Sequence, residues 1–401
     1  MLPRLKISVP DLVWVWLFHT SLILLLTALN PNHYTTTDSR YYLESAENIS
    51  AGKGYTILEN NSYKWNSTFP IGYPVTISIV SLLTQTSVLI ASKLVNILAS
   101  GVWLICLNRW FGKKKAVILG CILMLGPFLK LWAHTWSEPL FLIVLFSWTY
   151  HFYQSGRISH CSVSKTSYLF ILGITLISIR YAGLFIIPLS LLYAFYKLLK
   201  KEKSTALYLT LLTFGWIVYL VGYFQWSKYQ SQSYFGENRF EGNIVFTQNF
   251  FLFSKGILNE IFLLRDMDFQ SPDILCYCAL FIQIIILTAL FKQLTSKKVF
   301  DKKPSSETLH FGITSLAYLI FLFIIRIFSQ FDEPGYRLLA PFSFLLISGF
   351  MMYIPVQKFS RTVRYLLLLL VVFSWMDIAP SQNFKGKLLK SLPFPEFIFS
   401  F

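Results

Sequence analysis

The chain is short of charge. Asp, Glu, Lys and Arg make up 13% of its 401 residues, against about 25% in an ordinary soluble domain. That excludes a water-soluble globular protein of normal surface. Acids are scarcer than bases, 19 against 35, for a formal net charge of +16. Nucleic acid is nevertheless a poor match for this excess, because the bases do not form one patch. They fall in short clusters, at Arg4 and Lys6; Arg109 and Lys113 to Lys115; Arg157 and Lys165; Lys200, Lys201 and Lys203; Lys297, Lys298, Lys302 and Lys303; and Lys358, Arg361 and Arg364. These clusters occupy every second loop, so the basic excess reports membrane orientation, with no nucleic-acid partner. Cysteine is also scarce. Cys276 and Cys278 are two apart rather than in CxxC spacing, and no set of the five cysteines has metal-ligand spacing, so neither a zinc site nor a disulfide framework is expected. No small-residue cleavage site follows the first apolar run, which reads as a retained span. Internal repeats and soluble end domains are missing as well.

What remains is apolar sequence. Hydrophobic residues are 55% of the chain, in runs of about 18 or more from end to end, too long for barrel strands. The expectation is an all-α polytopic membrane protein, one unit over 1–401, with about eleven transmembrane helices. They are placed near 11–29, 71–108 (a short helix, a break at Thr84-Gln85-Thr86 and a full span), 116–134, 137–154, 166–179, 181–197, 205–226, 273–291, 308–328, 337–354 and 362–378. Two external loops follow, at 30–70 and 227–272, with the N-terminus cytoplasmic. The many lysines, the short chain and the lack of further domains favour a bacterial inner membrane over an endoplasmic-reticulum membrane.

The first loop is the polar exception. Thr37, Asp38 and Ser39 are helix-start residues and Gly52 and Gly54 helix-stop residues. Between them Tyr42, Ala46 and Ile49 recur at i, i+4, i+7, which predicts a short amphipathic helix lying on the membrane surface. Glu44 and Glu47 fall on its other, solvated face. Asp38 is either the helix N-cap, the usual role of Asp at such a place, or a working carboxylate. Pro70-Ile71-Gly72-Tyr73-Pro74 forces a rigid turn back into the bilayer. Three Asn-x-Ser/Thr sequons, at Asn48, Asn60 and Asn66, agree with an external loop, although Asn and Ser are common in any polar loop.

Ionisable residues inside spans are costly and are functional candidates. Lys93, Lys130, Arg180, Arg326 and Arg337 all fall at outer ends of spans, with Glu138 and His134, as one belt at the external face. Such a belt suits an anion, a phosphate headgroup above all; each member singly also suits a side chain snorkelling to water. Tyr229, Tyr234 and Phe235 in the second loop read as interfacial aromatics, or as stacking platforms for sugar rings.

These residues resemble a family. Asp38-x-x-x-Tyr42-x-x-x-Ala46, Gly52-Lys53-Gly54-Tyr55 and Pro70-Ile71-Gly72-Tyr73-Pro74 are similar to the first external loop of GT-C glycosyltransferases, in the branch of the dolichyl-phosphate-mannose-protein mannosyltransferases and the bacterial aminoarabinose transferases. Ala91-Ser92-Lys93-Leu94-Val95-Asn96, ending in Arg109-Trp110-Phe111-Gly112, resembles the next span. Pro127 followed by Trp136-Ser137-Glu138-Pro139-Leu140, then Arg180-Tyr181-Ala182-Gly183 and Tyr336-Arg337-Leu338-Leu339-Ala340-Pro341, continue the likeness to about 341. The resemblance implies a helical first loop packed over a membrane-facing cavity and a sugar donor carried on a polyprenyl phosphate. Asp38 matches the family's catalytic acidic position. Arg180, Arg337 and Lys93 are then candidates to hold the donor phosphate, and Tyr42, Tyr73, Lys130, His134 and Glu138 to bind substrate. The acceptor would be a lipid, glycan or protein. Two departures stand out. Many members pair that Asp with a second acid, where this chain has Ser39, so a divalent metal is possible but no ligand is assigned. Many also carry a C-terminal soluble domain, for which the tail after 378 is too short. Two other readings share the belt: a flippase or transporter of an anionic lipid or solute, and a polysaccharide polymerase or ligase.

Overall fold

A computed structural model of the chain describes residues 9–59, 61–156, 163–234, 245–262, 274–296, 303–329, 331–354, 360–375 and 378. The described residues form α1 (Val9–Leu29), α2 (Thr37–Ser50), a hairpin of β1 (Thr56–Glu59) and β2 (Ser62–Trp65), and α3 (Gly72–Thr84), α4 (Val88–Phe111), α5 (Lys113–Gly120), α6 (Gly126–Ala133), α7 (Glu138–Ser155), α8 (Val163–Ile179), α9 (Ile186–Leu199), α10 (Lys203–Ser231), α11 (Phe246–Phe262), α12 (Ile274–Ser296), α13 (Ser306–Phe328), α14 (Tyr336–Tyr353) and α15 (Arg361–Ser374). The chain is therefore helical and multi-pass, as its composition requires.

By length and composition six of the described helical segments are able to cross a bilayer, at Asp11–Leu29, Val88–Phe111, Tyr181–Leu199, Lys203–Ser231, Ser306–Phe328 and Tyr336–Tyr353. A bent pair makes a seventh, and three shorter apolar helices stand beside them. Among the described residues this does not confirm the expected count of about eleven. Helices such as the 13-residue α3 extend only about 20 Å at 1.5 Å per residue, short of a hydrocarbon core of about 30 Å.

The segment expected as one span at 116–134 is broken. It bends by 74° between Lys113–Met124 and Gly126–Ala133, because Leu125 is extended and Pro127 begins a new helix. Breaking a helix inside a bundle strands backbone groups, and the end of α15 supplies their partners. The Gly126 N–H donates to Ser374 Oγ at 2.9 Å and Trp375 Nε1 donates to Met124 O at 2.6 Å. A β-carbon on Gly126 would lie 1.9 Å from Ser374 O. Gly126→Ala is thus expected to push α15 off the bend and to destabilise by about 1–3 kcal/mol or more. A lowered thermal midpoint in detergent checks it; an unchanged midpoint contradicts this docking.

One loop expectation is corrected, and elements within the two loops are added. The apolar face of α2 does not lie on the membrane surface. Tyr42 and Ala46 are buried against Tyr73 and Ile77 of α3 and Ala91 and Val95 of α4, and the small side chains of Ala46 and Ala91 let the helices close up. Residues 56–65 form an antiparallel hairpin, with Thr56 opposite Trp65 and Glu59 opposite Ser62. Its signal was the run Thr-Ile-Leu before an Asn-Asn turn, with Asn61 at φ +60°. Within the segment expected as the second loop, α10 runs on to Ser231 and α11 takes up 246–262. Tyr229 is exposed, Tyr234 accepts from Lys228 Nζ at 3.1 Å, and Phe235 lies outside the described residues. The break expected near Thr84 is present, where Gln85 turns left-handed at φ +54° and ends α3.

Candidate active site

Helix α2 starts on a reciprocal cap. Ser39 N–H donates to Thr36 Oγ1 at 3.4 Å, and Thr36 N–H donates to Ser39 Oγ at 3.0 Å. The cap is therefore Thr36 with Ser39, and Asp38 is not the N-cap. Its carboxylate points instead into the bundle, where Arg337 Nη1 donates to Asp38 Oδ2 at 2.5 Å. Asp38 is buried, 8% exposed.

Arg337 is the second residue of α14. Its Nε donates to Glu138 Oε1, and Arg180 Nη1 pairs with the same oxygen. Glu138 is fully buried as the first residue of α7, where the helix dipole favours a carboxylate. Arg180 stands in extended backbone, at φ −150° and ψ 137°, between α8 and the 3-10 turn 181–185. The four groups make a chain, Asp38–Arg337–Glu138–Arg180, with two charges of each sign. Ser137 Oγ joins it to α2: it lies 3.4 Å from Arg180 Nη1 and 3.2 Å from the Tyr42 hydroxyl. Burial, reinforced by the Glu138 charge, pushes the Tyr42 phenol up to about 12, so it stays protonated.

The five-cation belt divides. Arg180 and Arg337 converge on Glu138. Arg326 does not join them: it donates to Asn249 Oδ1 at 2.9 Å and to Phe331 O at 3.2 Å, beside α11. Lys93 Nζ donates to Ala133 O at 2.6 Å, so its ammonium holds the last carbonyls of α6 rather than facing the guanidiniums. Asn96, one turn on, donates to Trp132 O and His134 O, each at 2.9 Å. Ser92 and Ser39 bind Thr135 from two sides. The Ser-Lys-x-x-Asn face of α4 thus fixes the 132–136 backbone. Lys130 Nζ lies 4.3 Å from the centre of the Tyr336 ring, and the Lys130 carbonyl is 2.8 Å from His134 Nδ1. The His134 ring stacks on Trp136 at 3.7 Å.

Tyr73 is fully buried, edge-on to Tyr42 at 5.1 Å, and its hydroxyl has no hydrogen-bond partner among the described residues. Glu44 is not purely solvated, since Leu58 N–H donates to it at 2.5 Å. Two sequons are occupied internally: Asn48 donates to Thr56 O and Asn66 to Ser45 Oγ, each at 2.9 Å. Asn60 lies outside the described residues. No group of three His, Cys, Asp or Glu side chains gathers as a metal site among the described residues. The two carboxylates that meet here both hold Arg337, so the donor set does not fit a divalent cation.

Sequence reasoning did not single out Trp136, Ser137 or Thr36. Their signals were a Thr-x-x-Ser cap and a Trp-Ser directly before the Glu-Pro helix start.

The fold has relatives of known structure. No protein-family model matches the chain, and no curated protein matches its sequence. Among solved structures, the chain is similar to ArnT from Cupriavidus metallidurans bound to undecaprenyl phosphate, with 18% identity over 90% of this chain and 63% of that one, TM-score 0.54. The apo form of that protein gives 16% identity over 89% and 62%, TM-score 0.51. The archaeal oligosaccharyltransferase AglB from Archaeoglobus fulgidus, in complex with an inhibitory peptide and a dolichol-phosphate, gives 13% over 95% and 58%, TM-score 0.52. The GT-C-like fold expected from the motifs is the fold that this chain shares with them. The chain spans about three fifths of the length of these structures.

Proposed function

We propose that the chain is a membrane glycosyltransferase that moves a sugar from a polyprenyl-phosphate donor to an acceptor hydroxyl at the external face, in a bacterial inner membrane. The observation that carries this reading is Arg337, half-buried between two carboxylates on α2 and α7, with Arg180 on the second of them. A charge-balanced cluster has no place for a further anion unless a carboxylate gives way. Asp38, the more exposed of the two at 11% of its side chain against 0% for Glu138, is the one able to move. A donor phosphate would take the Nη1 of Arg337 that now serves Asp38, and Glu138 would keep both guanidiniums in place.

Asp38, released from Arg337, then accepts the acceptor hydroxyl proton. The acceptor oxygen bonds to C1 of the sugar as the C1–O bond to phosphate breaks. The electron pair leaves with the phosphate oxygen, whose growing charge is met by Arg337 and Arg180. In-line attack inverts the anomeric carbon. Tyr42 and Tyr73 are fully buried on the α2–α3 side, where they support the cluster rather than meet the sugar. The shared fold with ArnT and AglB, whose structures hold undecaprenyl phosphate and a dolichol-phosphate, supports a polyprenyl-phosphate ligand.

The purified protein in detergent, given synthetic polyprenyl-phosphate sugars and a panel of lipid, glycan and peptide acceptors, should release free polyprenyl phosphate only when a suitable acceptor is present. Tight lipid binding without release under any acceptor would overturn the reading in favour of a carrier. Transfer only from a lipid-linked oligosaccharide would move it to a polymerase or ligase.

A further inference from the structure

Trp136 touches Arg337 and the cap of the helix that carries Asp38, without belonging to the ion pair. Its indole is 5% exposed. Nε1 donates to Thr36 Oγ1 at 2.9 Å, and Thr36 is the cap that starts α2 two residues before Asp38. The Arg337 guanidinium carbon lies 4.4 Å from the indole centre. The His134 ring is stacked on the indole at 3.7 Å and 16°. A ring that close and that parallel fills one face, so the guanidinium takes the other.

We infer that Trp136 is a positioning residue for Arg337: the indole face holds the guanidinium in place when the donor phosphate displaces Asp38. The inference rests on the transferase reading above and deepens it. An ion pair cannot both hold Arg337 and open during the reaction. A cation–π contact survives the opening, because it uses the plane of the guanidinium and leaves its N–H groups for carboxylate or phosphate. The Nε1–Thr36 bond anchors the platform to the cap of α2, so one side chain keeps the distance between the start of that helix and the cation. Within a buried site this contact is strong enough to matter. Glu138 also holds Arg337, but only through its Nε edge, which leaves the rotation of the plane to Trp136.

The test compares wild type with Trp136→Phe, Trp136→Leu, Arg337→Lys and the Arg337→Lys/Trp136→Leu double variant, reading kcat and KM for polyprenyl-phosphate release. Trp136→Phe keeps a ring and should stay within about threefold of wild type. Trp136→Leu should lower kcat about tenfold, the size of a desolvated cation–π contact, with a smaller change in KM. In the Arg337→Lys background, where the planar group is gone, the leucine change should add little, because contacting residues are not additive. Trp136→Met fills similar space without a ring face and carries the same expectation should the leucine variant not fold. Equal kcat in the leucine and phenylalanine variants, or a full further loss in the lysine background, would overturn the role of Trp136 while the transferase reading stands. A wild type that releases nothing with any donor and acceptor overturns the transferase reading instead.

Discussion

Asp38→Asn is expected to lower sugar transfer by about 10²–10⁴-fold, the usual contribution of a positioned proton acceptor, while the protein remains folded. The amide matches the carboxylate in shape and can still accept from Arg337, so the packing of α2 survives. It cannot take a proton from the acceptor. Arg337 retains Glu138 on its Nε, so the cation does not lose its last partner. The separation of the two effects is the point of the experiment. Polyprenyl-phosphate release is measured beside the thermal midpoint, and only the first should collapse. If the variant transfers at the wild-type rate, Asp38 is not the base, and its carboxylate serves only to hold Arg337.

Glu138→Ala should have the opposite signature, loss of the folded protein first. Glu138 is fully buried and is shared by Arg180 and Arg337, whose side chains are 12% and 19% exposed. Removing it leaves two guanidiniums facing each other, with Asp38 on Arg337 as the carboxylate that remains at the cluster. Breaking a buried pair from one side costs about 3–5 kcal/mol, against a total stability of about 5–15 kcal/mol for a typical protein. The expected outcome is a large fall in the thermal midpoint and in recovery of monodisperse protein. Glu138→Gln, which keeps shape and one acceptor oxygen, should fold better yet transfer slowly, since Arg337 and Arg180 are then less firmly held for the phosphate. An alanine variant as stable as wild type would show that the two arginines find other partners, and that Glu138 does not organise them.

Asp38, Glu138, Arg180 and Arg337 were each visible as candidates, because a charge at the end of an apolar span is conspicuous by cost alone. That they form one chain of ion pairs was not visible. Asp38 and Arg337 are 299 positions apart, and the same reasoning placed Arg326 and Lys93 in the same belt. Which cations meet a carboxylate and which meet a carbonyl depends on how α4, α11 and α14 pack, and nothing local encodes it. Asp38 itself was open to two readings, and the choice between them turned on Thr36, whose cap with Ser39 leaves the Asp38 side chain for Arg337. Trp136 was visible only as part of the Trp136-Ser137-Glu138-Pro139-Leu140 motif, and its contacts with Thr36 and Arg337 depend on the same packing.

The sequence by itself determined that the chain is a helical, multi-pass membrane protein with one polar loop carrying chemistry-bearing groups. Backbone satisfaction in lipid and the cost of charge act along the chain and leave their marks in composition and periodicity. The tertiary structure alone decided the bend at Gly126, the docking of α2 on α3 and α4, and the pairing of Asp38 with Arg337. Each of these depends on groups far apart in sequence satisfying one another's charges and hydrogen bonds, and such partners are chosen only when the helices come together.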